Sequence, residues 1–138
     1  MAQAFVVTLE KELPDAMAAY VKAGQGKALA READRLDNAA RAAKVQPLTS
    51  LLSENPAKLA EQLKADGFDP SRMRLPPEQW FAAGDGLATV RGLSSQVSAD
   101  LNKFKQPNPI LRDLKSAEAL LLAAQTAGVR FHFSKADV

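Results

Sequence analysis

The sequence predicts a mostly helical α+β domain, with about four to five helices packed on a small sheet that pairs the N- and C-terminal strands. Three observations carry this expectation. Apolar residues alternate with period 2 near both ends of the chain, stripes at spacings of three and four fill the middle, and proline and glycine punctuate those stripes. An isolated strand leaves its backbone ladder unpaired, so the two terminal strands need each other. A two-stranded ribbon is itself marginal unless helices cover its apolar side.

The first strand is expected at Phe5 to Leu9, with Phe5, Val7 and Leu9 on one face and Val6 and Thr8 on the other. Pro14 and Asp15 open a short helix, because proline's fixed φ suits a first turn and a carboxylate suits its positive end. Met17, Tyr20 and Val21 share its face before Gly24 stops it. Lys27 to Lys44 reads as one longer helix striped by Leu29, Ala33, Leu36, Ala40 and Ala43. Its charges form a solvated face, with Glu32 near Arg35 and Asp37 near Arg41 at helical pairing distance. Pro47 ends it, and Leu48, Leu51 and Leu52 pin the connection to the core.

Asn55-Pro56 is a helix start, since Asn accepts from free amides and Pro occupies a position whose own amide would be unpaired. This helix runs through Leu59 and Leu63 to Gly67. Phe68 to Gly86 is rich in turn formers, namely Asp69-Pro70, Pro76-Pro77 and Gly84-Asp85-Gly86. The next helix carries Leu87, Val90, Val97, Leu101 and Phe104 on one face, with Asp85 as its cap. Asn108-Pro109 repeats the start signal, Ile110, Leu114, Ala117, Leu121 and Ala124 form the cleanest stripe, and Gly128 closes it. Val129, Phe131 and Phe133 then alternate with Arg130, His132 and Ser134, which predicts a strand with one buried face and His132 on a wet one.

A chain of 138 residues suits one domain, residues 1–138, and can bury roughly two thirds of its unfolded surface without a metal or disulfide. The apolar fraction of 46% and charged fraction of 25% are ordinary for soluble globular chains. With no cysteine, disulfides, thiolate metal sites and Cys nucleophiles are excluded. The N-terminal apolar stretch has no basic start and ends at Thr8, and no run approaches a membrane span, so a cytoplasmic protein is expected. The net charge is only +2 and the basic residues are dispersed among acids, which argues against nucleic acid as partner.

His132 is the only histidine, a general base or pH switch if partners surround it and a surface residue otherwise. Asp66, Asp69 and Asp85 lack the spacing of a calcium loop, and turn formation explains them; neither metal nor cofactor is expected. Gly84-Asp85-Gly86 before a helix resembles an anion-binding start but lacks a third glycine and a Gly-Lys-Ser/Thr. Trp80-Phe81, the only tryptophan beside a phenylalanine, is either a plug that holds its loop to the body or an anchor for a partner.

The runs Leu75-Pro76-Pro77-Glu78-Gln79-Trp80-Phe81, Gly86-Leu87-Ala88-Thr89-Val90-Arg91, Leu111-Arg112-Asp113-Leu114 and Gly128-Val129-Arg130-Phe131-His132 resemble small uncharacterised bacterial proteins with a Trp, Gly-Leu and C-terminal Gly-Val-Arg-Phe-His layout. The resemblance covers about the last half of the chain; it implies a bacterial origin and one fold unit, and assigns no role to any residue.

With no catalytic constellation readable, the sequence favours a non-catalytic protein-interaction module, immunity- or antitoxin-like, whose partner is another protein. Its candidate contact residues are Trp80, Phe81, Asp85, Arg91 and His132. The alternative is a small enzyme or small-ligand binder with a pocket near His132, Asp85 and Arg91.

Overall fold

A computed structural model describes residues 3–23, 26–53, 56–72, 74–75 and 77–137. The terminal strands pair as expected. β1 (Gln3–Leu9) lies antiparallel to β2 (Phe131–Asp137), with Val7 opposite Phe133, Thr8 opposite His132 and Leu9 opposite Phe131. Between them run α1 (Pro14–Ala23), α2 (Lys27–Arg31), α3 (Ala33–Ala43), α4 (Pro56–Ala65), α5 (Ala83–Ala99) and α6 (Pro107–Ala127), with 3-10 turns at Leu48–Leu51, Pro70–Arg72 and Leu101–Lys103. The result is a mostly helical α+β fold.

The core lies between one face of the ribbon and the α5–α6 pair. Phe5, Val7, Phe131 and Phe133 point into it, where they join Leu87, Val90 and Leu93 of α5 and Ile110, Leu114 and Leu121 of α6. Phe131 and Phe133 meet edge to face at 5.6 Å, a favoured arrangement for two aromatic rings. Gly86 allows the approach: a Cβ there would lie 2.7 Å from Phe131 Cε1 and 3.1 Å from Leu121 Cδ1. The first turn of α5 is therefore a bare backbone platform for the Phe131 ring.

Both outer edges of the ribbon are closed. On β1, Phe5 donates to the Gly26 carbonyl at 3.1 Å and Val7 donates to the Tyr20 hydroxyl at 3.0 Å. Burial pushes Tyr20 up to about 12, against the Val7 amide, which favours the phenolate. On β2, Phe131 and Phe81 exchange two backbone hydrogen bonds at 2.8 and 2.9 Å, and Ser53 donates to the Phe133 carbonyl at 2.9 Å. An unpaired strand edge would invite association, and these contacts remove most of it.

Several local expectations are corrected. The Lys27–Lys44 segment is two helices, broken at Glu32, so the domain has six helices among the described residues. The break has a cause: the buried Glu32 carboxylate accepts from the Lys105 and Gln106 amides at 2.7 and 3.2 Å and from Arg35 at 3.1 Å. The start of α2 is met from outside the helix, where Asp113 of α6 accepts the Ala28 amide at 2.9 Å. Asp37 takes the Thr49 hydroxyl at 3.0 Å rather than Arg41. Asp85 does not cap α5; Ala82 holds that position with no side-chain bond, and Asp85 stands exposed in the first turn. Leu101 is 45% exposed because α5 ends two residues before it. Helix α6 starts at Pro107 after Gln106, so Asn108 is inside the helix rather than at its cap. Gly24, Asn55 and Pro76 lie outside the described residues.

Helix α4 differs from the others. None of its side chains is fully buried, Leu59 and Leu63 are only partly covered, and its close neighbour is the 3-10 turn at Pro70–Arg72. It stands off the ribbon.

Candidate functional site

The outward face of the ribbon was expected to be wet, with His132 exposed; the structure corrects this. His132 is 1% exposed. The extended segment 78–81 crosses beside β2, held by the Phe81–Phe131 backbone pair and by the Gln79 amide donating to Ser53 Oγ at 2.8 Å. Extended backbone turns alternate side chains to opposite sides. Glu78 and Trp80 consequently fall over the outward face, while Phe81 turns in to Phe131, its ring 6.3 Å away. Trp80 and His132 rings lie 4.6 Å apart, inclined at 45°.

A polar relay runs along this covered face. Glu78 Oε2 is 2.7 Å from His132 Nε2, His132 Nδ1 is 3.1 Å from Ser134 Oγ, and Ser134 Oγ is 2.9 Å from Thr8 Oγ1. His132 and Ser134 share a face because they are two apart on β2, and the register sets Thr8 opposite His132. The Phe133 carbonyl also lies 3.1 Å from Nδ1. With the Nε2 proton directed to Glu78, Nδ1 is free to accept the Ser134 hydroxyl. When both nitrogens are protonated, Nδ1 donates to the Phe133 carbonyl instead. The same ring thus has partners in either state.

The relay forms the floor of a cleft of about 760 Å³ whose opposite wall is α4. Leu59, Gln62 and Ala65 face it from the helix, Val6, Thr8 and Ser134 from the ribbon, and Trp80 and Glu78 from the crossing segment. Its size falls in the range of small-molecule sites, and its walls combine apolar surface with a few convergent polar groups. Lys58 and Lys135 add cationic groups at the lining, and Arg130 pairs with Glu10 at one end.

Of the residues named from sequence, the structure brings Trp80 and His132 together in this cleft and leaves the others outside its lining. Phe81 is packed on Phe131. Arg91 is exposed on α5, 3.4 Å from Glu118 of α6, and Asp85 is exposed in the first turn of the same helix. Asp69 accepts the amide and hydroxyl of Ser71 at 3.1 and 2.6 Å, a turn role. Among the described residues no group of three or more His, Asp or Glu is placed to hold a metal, and no helix is long and apolar enough to cross a membrane. Glu78, Ser134 and Thr8 were not singled out from the sequence. The signal was present as Glu78-x-Trp80 and His132-x-Ser134, two pairs at the spacing that puts side chains on one side of an extended chain.

No family model, curated protein or solved structure matches this chain.

Two further buried carboxylates serve as a contrast. Burial raises Glu32, but the Lys105 and Gln106 amides and Arg35 together outweigh it and hold its carboxyl below the usual range. For Asp113 burial wins over the Ala28 amide and nearby arginines, and its carboxyl is pushed up. Both groups satisfy backbone amides and neither lines the cleft beneath α4.

Proposed function

We propose that this protein binds a small organic molecule in the cleft between α4 and the outward face of the ribbon. One observation carries the reading: the floor of a partly apolar cleft holds a buried histidine whose two ring nitrogens face Glu78 and Ser134 beneath an indole. A ligand with an apolar body suits Leu59, Ala65 and Trp80, and a hydrogen-bonding group suits Ser134 and Thr8.

Trp80 is the only tryptophan, so tryptophan emission reports on this site alone. A library of small carboxylic acids, esters and amides, screened by Trp80 fluorescence and thermal shift, should yield compounds that change both. Leu59→Arg places a charge in the cleft wall without touching a buried position, and it should weaken those compounds by at least roughly tenfold, the effect of about 1.4 kcal/mol. Compounds that bind Leu59→Arg as well as the natural chain would count against the cleft.

A second reading is the protein-interaction module, immunity- or antitoxin-like, expected from the sequence. Phe68, 53% exposed just beyond the end of α4, supports it, since an exposed apolar ring suits a partner segment. A host protein whose capture is lost in Phe68→Ser and kept in Ser134→Ala would favour this reading over the small molecule.

A further inference from the structure

We infer that Ser134 is a nucleophile, activated by His132 and positioned by Glu78, and that the cleft hydrolyses carboxylic esters. The inference rests on the small-molecule reading of the cleft and adds a reaction to it.

Acyl transfer needs a hydroxyl, a base within hydrogen-bond reach of it, and a third group that orients the base. The three are present in order: Ser134 Oγ is 3.1 Å from Nδ1, and Nε2 of the same ring is 2.7 Å from Glu78 Oε2. The ring is fixed. It is buried against Trp80, and Glu78 is held by a segment whose flanking amides at Gln79 and Phe81 are bonded to Ser53 and Phe131. A carboxylate on Nε2 keeps the proton there, leaving Nδ1 free to accept from Ser134. The nucleophile meets open space, since Ser134 lines the cleft along with Thr8.

The steps balance. Ser134 Oγ bonds to the ester carbonyl carbon as its proton passes to Nδ1, and the carbonyl π pair moves onto oxygen. The imidazolium lies between the Glu78 carboxylate and the Phe133 carbonyl, which is 3.1 Å from Nδ1 and accepts its new proton. Thr8, 2.9 Å from Ser134 Oγ, has a hydroxyl to turn toward the oxyanion. Collapse of the adduct breaks the bond to the alcohol oxygen, which takes the Nδ1 proton and leaves. Water then attacks the acyl carbon, gives a proton to Nδ1, and Ser134 recovers it as the carboxylic acid departs. Ester and water become acid and alcohol, with no other reactant.

The resting competition at Nδ1 fits the scheme. In the neutral ring with the proton on Nε2, the Phe133 carbonyl and Nδ1 face each other as two acceptors. Proton transfer from Ser134 relieves that opposition, so the contact is better in the charged state than in the ground state, which is the sense that accelerates a reaction.

The test is covalent labelling of the natural chain by an alkyl fluorophosphonate, whose phosphorus takes Ser134 Oγ as fluoride leaves, with the adduct mapped by tandem mass spectrometry. The expected result is modification at Ser134 and turnover of p-nitrophenyl butyrate, both absent in Ser134→Ala. His132→Gln should slow labelling by ~100-fold or more, the usual worth of a general base. Glu78 is a positioning residue, so Glu78→Gln should slow labelling, and Glu78→Asp, which restores the carboxylate, should recover part of the rate. The mapping in the natural chain does not depend on any variant folding. No adduct, or adducts scattered over other serines, overturns the nucleophile; if cleft ligands still shift Trp80 emission, the binding reading survives that result. If nothing shifts Trp80 either, both fail together.

Discussion

Neighbouring residues on the two faces of β2 are buried to the same degree by different means. Phe133 is 0% exposed and its neighbour His132 is 1% exposed, yet the first is covered by α5 and α6 through apolar packing and the second by one extended segment through hydrogen bonds and a single indole. Apolar burial is non-directional and contributes stability in proportion to area. A polar group buried under a loop contributes little net stability when satisfied and costs it when left unpaired. The comparison therefore divides labour across one strand: odd positions of β2 hold the fold together, and even positions hold an arrangement of groups.

Replacing Phe133 with Ala should give the largest effect. It removes a ring in contact with Phe131 and leaves a cavity, and such changes cost about 3–5 kcal/mol. Urea denaturation of the purified variant measures this, and a loss under about 1 kcal/mol would break the division. Gly86→Ala comes next. The new methyl would meet Phe131 and Leu121, whose side chains are locked in the core, so the overpacking cost is about 1–3 kcal/mol despite alanine's better helix propensity. A stabilised Gly86→Ala would mean the Phe131 ring is not seated on α5.

Much of the inner face was legible in the sequence, because period 2 at Phe131 and Phe133 and spacings of three and four at Ile110, Leu114, Ala117, Leu121 and Ala124 are properties of single elements. The pairing of the chain ends followed from the backbone's need for partners. The outer face was not legible for a physical reason. Alternation states which residues share a face with His132, but whether that face is wet depends on a segment more than fifty residues away, laid beside β2 by backbone bonds that carry no side-chain signature. The same holds at Glu32, where a stripe continuous from Leu29 to Ala43 predicts one helix. Two amides at Lys105 and Gln106, remote in sequence, decide otherwise. Asn108 and Asp85 show the reverse error: residues of the right type for a cap stand near helix starts that use none.

The buried carboxylates sharpen what satisfied burial means. Glu32 is held low, so its contribution is present above its unfolded value near 4.5 and is lost as pH falls through its lower folded value. Asp113 is raised, so the folded protein keeps its proton where the unfolded chain has lost it. That contribution is present below its unfolded value near 3.8 and is lost as pH rises through the raised value. Glu32→Gln should cost about 1–2 kcal/mol at pH 7, from weakened charge-assisted bonds, and progressively less below pH 4. Asp113→Asn should cost less at pH 7 than at pH 3. Denaturation midpoints across this range measure both slopes, and slopes of the same sign would contradict the difference between the two sites.

The smallest expected effect on stability is at Ser134. If the relay served the fold, deleting its hydroxyl would strand two polar groups on a covered face and cost about 1–3 kcal/mol. The geometry argues otherwise. Without Ser134 Oγ, Nε2 retains Glu78, and Nδ1 and Thr8, both beside the space the hydroxyl vacates at the floor of the cleft, are free to meet water. No buried donor or acceptor is orphaned, so Ser134→Ala should shift the urea midpoint by less than about 0.5 kcal/mol, within the range of surface substitutions. An unchanged midpoint would mark this hydroxyl, held between two polar side chains at the floor of the cleft, as one the fold does not need. A loss of 2 kcal/mol or more would instead make the relay part of the architecture and remove the distinction between the two faces of β2.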